Sequence, residues 1–171
     1  MARTRTPKAA KATANASAGI FSRIVKRLRK SKRPAGSTPG HVQPLDVHTY
    51  SDLKKREKVG DNLEHDHIPS SAALKKAKEK QLGRKLTPQE ARDIHQQGAA
   101  IEIPKEVHAK GDTFRGKNTP DRIEADASDL SAAAKRDYAT NRKNLIDHGY
   151  SPKEVDAALD KMRALNRKRG I

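Results

Sequence analysis

The sequence predicts a mainly α-helical domain that carries a small two-stranded β element, preceded by a basic segment of about forty residues. Three observations carry this expectation. Helix-start signals recur: Thr87-Pro88-Gln89-Glu90 is a capping box with proline at the first helical position, and Ser151-Pro152-Lys153-Glu154 repeats the logic. Only two stretches read as strands, the one through His65-Asp66-His67 and Ala99-Ala100-Ile101-Glu102-Ile103, and Pro69 and Pro104 follow them. Residues 1–40 hold eleven Lys and Arg and no acidic residue, whereas 41–171 hold twenty-six basic against twenty-one acidic side chains. Most of the +16 net charge therefore belongs to the first segment, and the remainder is only moderately basic.

Taken in order, residues 1–17 are Ala-, Lys-, Thr- and Arg-rich and read as disordered, since almost nothing there can be buried. Ile20, Phe21, Ile24, Val25 and Leu28 recur at helical spacing among basic residues, which predicts a basic amphipathic helix over about 19–31. A Pro/Gly/Ser linker, Arg33 to Gly40, then sets the boundary of a second domain at 41–171. Within that domain a short helix is expected from Thr49 to about Lys58, and Gly60-Asp61 turns into the first strand. Ser70 or Ser71 caps a helix that Gly83 ends, and the helix begun at Thr87 stops at Gly98. The second strand leads into a helix from Pro104 through His108 to Gly111. A loop over Asp112–Pro120, a long helix over roughly 126–148 and a final helix burying Val155, Ala158, Leu159, Met162 and Leu165 complete the domain.

Composition excludes several classes of function. With no cysteine there is no disulfide framework, thiolate zinc site or cysteine nucleophile. No apolar run approaches the roughly 18 residues of a membrane span, so no integral membrane segment is expected. The basic N-terminus lacks the apolar core of a secretory signal, so export would need a route without a simple signal peptide. The basic excess suits a polyanionic partner.

The chemistry concentrates in Leu63-Glu64-His65-Asp66-His67-Ile68-Pro69-Ser70, with His108 following the second strand. Phosphodiester hydrolysis needs a base for water, a cation to absorb charge and a grip on the strand. Neutral histidine suits the first role, and carboxylate with imidazole suits a divalent ion. In an extended strand His65 and His67 face one side and Asp66 the other. The residues alone thus leave open whether His67 works with Asp66 or with His65. Arg115 and Lys117, in the loop Thr113-Phe114-Arg115-Gly116-Lys117-Asn118, are candidates for gripping backbone phosphates. His41, His48, His95 and His148 have no comparable context and read as ordinary.

Asp66-His67-Ile68-Pro69, with Ala100-Ile101-Glu102-Ile103-Pro104 to His108, resembles the two motifs of the HNH, or His-Me finger (ββα-metal), nucleases. The fuller pattern is similar to nuclease domains at the C-termini of bacterial polymorphic toxins. That resemblance implies a ββα-metal finger embedded in a helical domain, with His67 as general base. Asp66 and His108 would hold one divalent ion (Mg, Mn, Ni or Zn). Strand alternation, by contrast, offers His65 as an alternative or supporting catalytic group, with Asp66 then orienting the pair. The resemblance also implies cleavage of DNA and delivery by a secretion-system carrier into a target cytoplasm. Little sequence preference is expected because no stretch resembles a major-groove reading helix, and an immunity protein in the producer is expected to be acidic to complement the basic surface. Two features depart from the pattern. Gln96-Gln97-Gly98-Ala99 stands where the family's central asparagine is expected, and two helices intervene between His67 and His108. The Asp66–His67 pairing also requires a local distortion at the strand end. The rivals are an RNase on the same scaffold and a non-catalytic basic nucleic-acid-binding protein with structural histidines.

Overall fold

A computed structural model describes residues 40–171; the amphipathic helix expected over 19–31 and its linker lie outside them. Strand β1 (Val47–Thr49) runs directly into helix α1 (Tyr50–Lys54), and β2 (Leu63–His67) follows a loop. Helices α2 (Ser71–Leu82) and α3 (Pro88–Gln97) precede β3 (Ala99–Pro104) and α4 (Lys105–Lys110). A single 3-10 turn at Arg115–Lys117 leads to α5 (Pro120–Ser128), α6 (Leu130–Asp147) and α7 (Pro152–Arg167).

The mainly α expectation holds, but the sheet has three strands rather than two, in the order β1-β3-β2 with both pairings antiparallel. The reason lies in β3, of which the first five residues are buried. A buried strand needs hydrogen-bond partners along both edges. β2 supplies one edge, and Val47-His48-Thr49 supplies the other, paired with Ile101, Ala100 and Ala99. Three residues with one buried apolar side chain are too short for a period-2 signal.

The helix starts follow their caps. Ser70, Thr87 and Ser151 each accept from the backbone amide three residues on, and Thr87 and Glu90 form the reciprocal capping box. The long helix expected over 126–148 is instead two helices. Asp129 leaves helical geometry at φ −144°, ψ 86°, and its carboxylate accepts from the Ala132 amide to start α6. Thr119-Pro120 opens α5 by the same threonine-proline device that opens α3. The helix expected to reach about Lys58 ends at Lys54.

Register decides what each face of the sheet carries. Ile101 and Ile103 are buried with Tyr138, Leu145, Val155, Leu159 and Met162 of α6 and α7, which form the main core. Ala100 is buried on the opposite side with Val42 and Leu53, against Tyr50. Opposed residues of an antiparallel pair share a face. Asp66 opposes Ile101 and Glu64 opposes Ile103, so these carboxylates project toward the core helices. His65 opposes Glu102 and His67 opposes Ala100, so the imidazoles project toward α1.

Candidate active site

β2 stays regular through His67, without the distortion that would bring Asp66 and His67 to one side. The motif is therefore divided between two faces.

On the core-helix face, His108 of α4 meets Glu64 and Asp66. Its Nδ1 lies 2.6 Å from Glu64 Oε2, and its Nε2 lies 3.4 Å from Asp66 Oδ1. The other Asp66 oxygen accepts from Asn141 Nδ2 of α6 at 2.9 Å, and Phe114 stands edge-on to the ring at 4.8 Å. Burial pulls the His108 pKa down, but hydrogen bonding and charge from Asp66, then Glu64, outweigh it and leave it raised. Glu64 accepts the proton on Nδ1, and Nε2 faces the Asp66 carboxylate with a proton when the ring is charged and with a lone pair when it is neutral. Two acceptors at that separation attract one another only through a proton or a cation between them. The donor set, imidazole nitrogen plus carboxylate oxygen with a second carboxylate behind the ring, fits a borderline divalent ion. Among the described residues no group of three His, Asp or Glu side chains is arranged to hold a metal. An ion here would have two protein ligands, leaving its other positions to water and phosphate oxygens.

The α1 face is an aromatic stack. The His67 ring lies 4.8 Å from Tyr50, nearly parallel, and 4.7 Å from His95 at the end of α3. Its Nε2 donates to the His95 carbonyl at 3.0 Å. Burial lowers its pKa to about 4 against the pull of that hydrogen bond, so the ring is neutral over the physiological range. A carbonyl can only accept, so the neutral ring carries its proton on Nε2 and a lone pair on Nδ1. Gly98 makes this packing possible: a Cβ there would fall 2.7 Å from His67 Cδ2. His65, whose side chain is 7% exposed, hydrogen-bonds through Nδ1 to the buried Glu102 and places Nε2 3.3 Å from Glu57 Oε2. A cavity of about 320 Å³ is lined by these three residues, by Lys54, Lys58 and Lys105, and by others around them.

His95, read from sequence as ordinary, is thus part of the site: it packs on Tyr50 and His67, and its Nδ1 lies 2.9 Å from Ser71 Oγ. Its position at a helix end gave no periodic signal. Glu64, Glu102, Tyr50 and Asn141 were missed as well. Two of these had a legible mark: Glu64 stands within the histidine–aspartate stretch, and Glu102 is the one charged residue in an apolar strand. Arg115 is exposed over the Phe114 ring at 4.9 Å, two contacts from His108. Lys117 donates to the carbonyls of Ala109 and Gly111, closing the end of α4.

Over 130 residues, 76% of its length, the chain is 52% identical to part of a protein named Deoxyribonuclease CdiA from Dickeya dadantii (strain 3937). The matched stretch is 4% of that protein, so the chain spans only a small part of the relative. No protein-family model matches the chain, and no solved structure matches it. Among the described residues no helix is long and apolar enough to cross a membrane.

Proposed function

We propose that the chain is a metal-dependent DNA endonuclease of the His-Me finger type, acting as an antibacterial toxin module with little sequence preference. One observation carries the reaction type: His108 Nε2 and Asp66 Oδ1 face each other across 3.4 Å with Glu64 orienting the ring. The substrate rests on the name of the relative. The finger reading is supported by the antiparallel β2–β3 pair followed directly by α4 with His108, despite the two helices between the strands.

Asp66 and His108 would hold the divalent ion (Mg, Mn, Ni or Zn), which when bound stabilises charge on the phosphorane and the leaving 3′ oxygen. His67 would take a proton from water at Nδ1, the atom its bond to the His95 carbonyl leaves as a lone pair. Because His67 faces α1 while Asp66 and His108 face the core helices, the scissile phosphate would have to sit at the end of β2, where the two faces meet. A phosphodiester beside the ring raises the His67 pKa toward the working pH, where a base is most effective. The water oxygen then attacks phosphorus, and the 5′ phosphate is the product. Arg115 contacts backbone phosphate beside His108, and Lys117 holds the turn that presents it. The basic surface would also serve recognition by an acidic immunity protein, and delivery would use a secretion-system carrier ending in the target cytoplasm.

A second assignment of the base, His65, is favoured by its bond to Glu102 and by its place in the lining of the neighbouring cavity. Supercoiled-plasmid cleavage with Mg or Mn, with EDTA, and with His67→Ala and His65→Ala separates the two. Metal-dependent nicking reduced about 10²- to 10⁴-fold in His67→Ala alone is the expected result. The same loss in His65→Ala alone moves the base to His65. Cleavage of RNA but not DNA overturns the substrate, and no cleavage of either leaves a nucleic-acid-binding protein.

A further inference from the structure

Asp66 and His108 sit on elements separated by α2, α3 and β3, and Glu64 restrains only the imidazole. Helix α6 touches both sides. Asn141, 5% exposed, donates its Nδ2 to Asp66 Oδ2 at 2.9 Å and to the Asp137 carbonyl at 3.3 Å. Both partners only accept, so the amide nitrogen must be the atom that faces them. With Oδ2 engaged, Oδ1 is the oxygen turned to His108. One residue earlier, the Thr140 hydroxyl donates to Asp112 Oδ2 at 2.6 Å, and Asp112 lies just past the end of α4, four residues from His108. Adjacent residues of one helix therefore bind the strand that carries the carboxylate and the segment that follows the imidazole.

The helix is itself fixed. Arg136 forks onto Asp126 of α5 at 2.6 and 3.0 Å and reaches Asp137 Oδ1 at 2.7 Å. Asn166 of α7 donates to Tyr138 Oη at 2.7 Å and to the Ile68 carbonyl at 2.6 Å, just beyond the motif. A side chain that merely filled the space beside Asp66 would need no amide. A buried donor on a carboxylate oxygen restricts which oxygen, and which direction, is offered to a ligand.

We propose that Asn141 and Thr140 are positioning residues, a clamp on α6 that sets the gap between Asp66 and His108 and so the affinity of the site for a divalent ion. The proposal rests on the reading that Asp66 and His108 hold that ion. The clamp acts through those two residues and touches neither substrate nor ion.

The experiment uses the full chain and Mn²⁺ as probe, comparing the rise in melting temperature on adding Mn²⁺ within each variant. DNA affinity in EDTA is measured alongside by fluorescence anisotropy. Mn²⁺ should raise the melting temperature of the wild type and leave that of Asp66→Asn unmoved. Asn141→Ala should need about 10- to 100-fold more Mn²⁺ for the same rise. Thr140→Val should shift in the same direction by a smaller factor, with DNA affinity in EDTA unchanged in both. Should Asn141→Ala lose its cooperative melt, Thr140→Val decides, since it swaps a hydroxyl for a methyl on a partly exposed turn. Wild-type Mn²⁺ response in both α6 variants, with none in Asp66→Asn, overturns the clamp while sparing the metal site. No response in the wild type, or a response kept by Asp66→Asn, removes the metal reading and the clamp with it.

Discussion

The two faces of β2 place the same side-chain types in opposite surroundings. On the core-helix face a histidine lies between two carboxylates, and its pKa is raised even though burial opposes this. On the α1 face a histidine lies between a tyrosine and another histidine, and burial takes its pKa down to about 4. The first ring is held beside anionic oxygens in a way that suits a cation. The second is kept neutral with one tautomer selected by a carbonyl, which suits a base. Alternation along β2 sends Asp66 to the first surroundings and His67 to the second, while His65, also on the α1 face, lies between the Glu102 and Glu57 carboxylates.

The largest expected effect tests the first face. His108→Ala should lower plasmid nicking by about 10³-fold, the loss that several kcal/mol of charge stabilisation implies. Asp66→Asn should match it, and equal activity in either would separate this face from the chemistry. The second face is tested by packing. Gly98 has ordinary backbone angles, so the effect of Gly98→Ala is steric: its Cβ must displace the His67 ring. Destabilisation of about 1–3 kcal/mol is expected. Cleavage should fall by up to about 10²-fold through misplacement of the ring. Thermal melts and initial rates report the two separately, and a ring free to move would leave both unchanged.

A smaller effect concerns the carboxylates behind Asp66. Burial raises the Asp137 pKa to about 6, against the pull of Arg136 and with help from the Asp66 and Asp126 charges. The unfolded carboxyl ionises near 3.8, so between roughly pH 4 and 6 the native state binds the extra proton. Stability therefore falls as pH rises through that window and is flat above it. Asp137→Asn lacks this titration, so its stability relative to wild type should rise by about 2 kcal/mol from pH 4 to pH 6. Urea denaturation at a series of pH values measures the difference; a constant difference would mean that Asp137 is ionised throughout. The smallest effect is at the rim. Arg115→Ala should weaken DNA binding a few-fold and reduce the slope of log affinity against log salt by about one. An unchanged slope would place the phosphate grip elsewhere.

Local chemistry was legible at three helix starts, where the determinant lay three residues away. Ser70, Thr87 and Ser151 start helices because a side-chain oxygen reaches an amide three residues on, and that spacing is printed in the chain. Asp129 obeys the same rule, yet the helical periodicity flanking it concealed the break. β1 escaped notice because its three residues are recruited by the edge of β3 rather than by their own pattern. The histidine–carboxylate motif was visible as composition, and its division between faces followed from strand alternation once β2 proved regular to its end.

The sequence by itself therefore determined the helix starts at Ser70, Thr87 and Ser151, the two longer strands and the residue types available for chemistry, because these depend on neighbours along the chain. Tertiary structure alone decided that His108 meets Asp66 across 42 residues of chain, that Asn141 reaches the same carboxylate from 75 residues away, and that Glu102 and His95 hold the two imidazoles. No spacing rule spans such separations. The contacts exist because burying β3 between two partner strands and packing α6 and α7 on its apolar face fixes where every side chain of β2 must point.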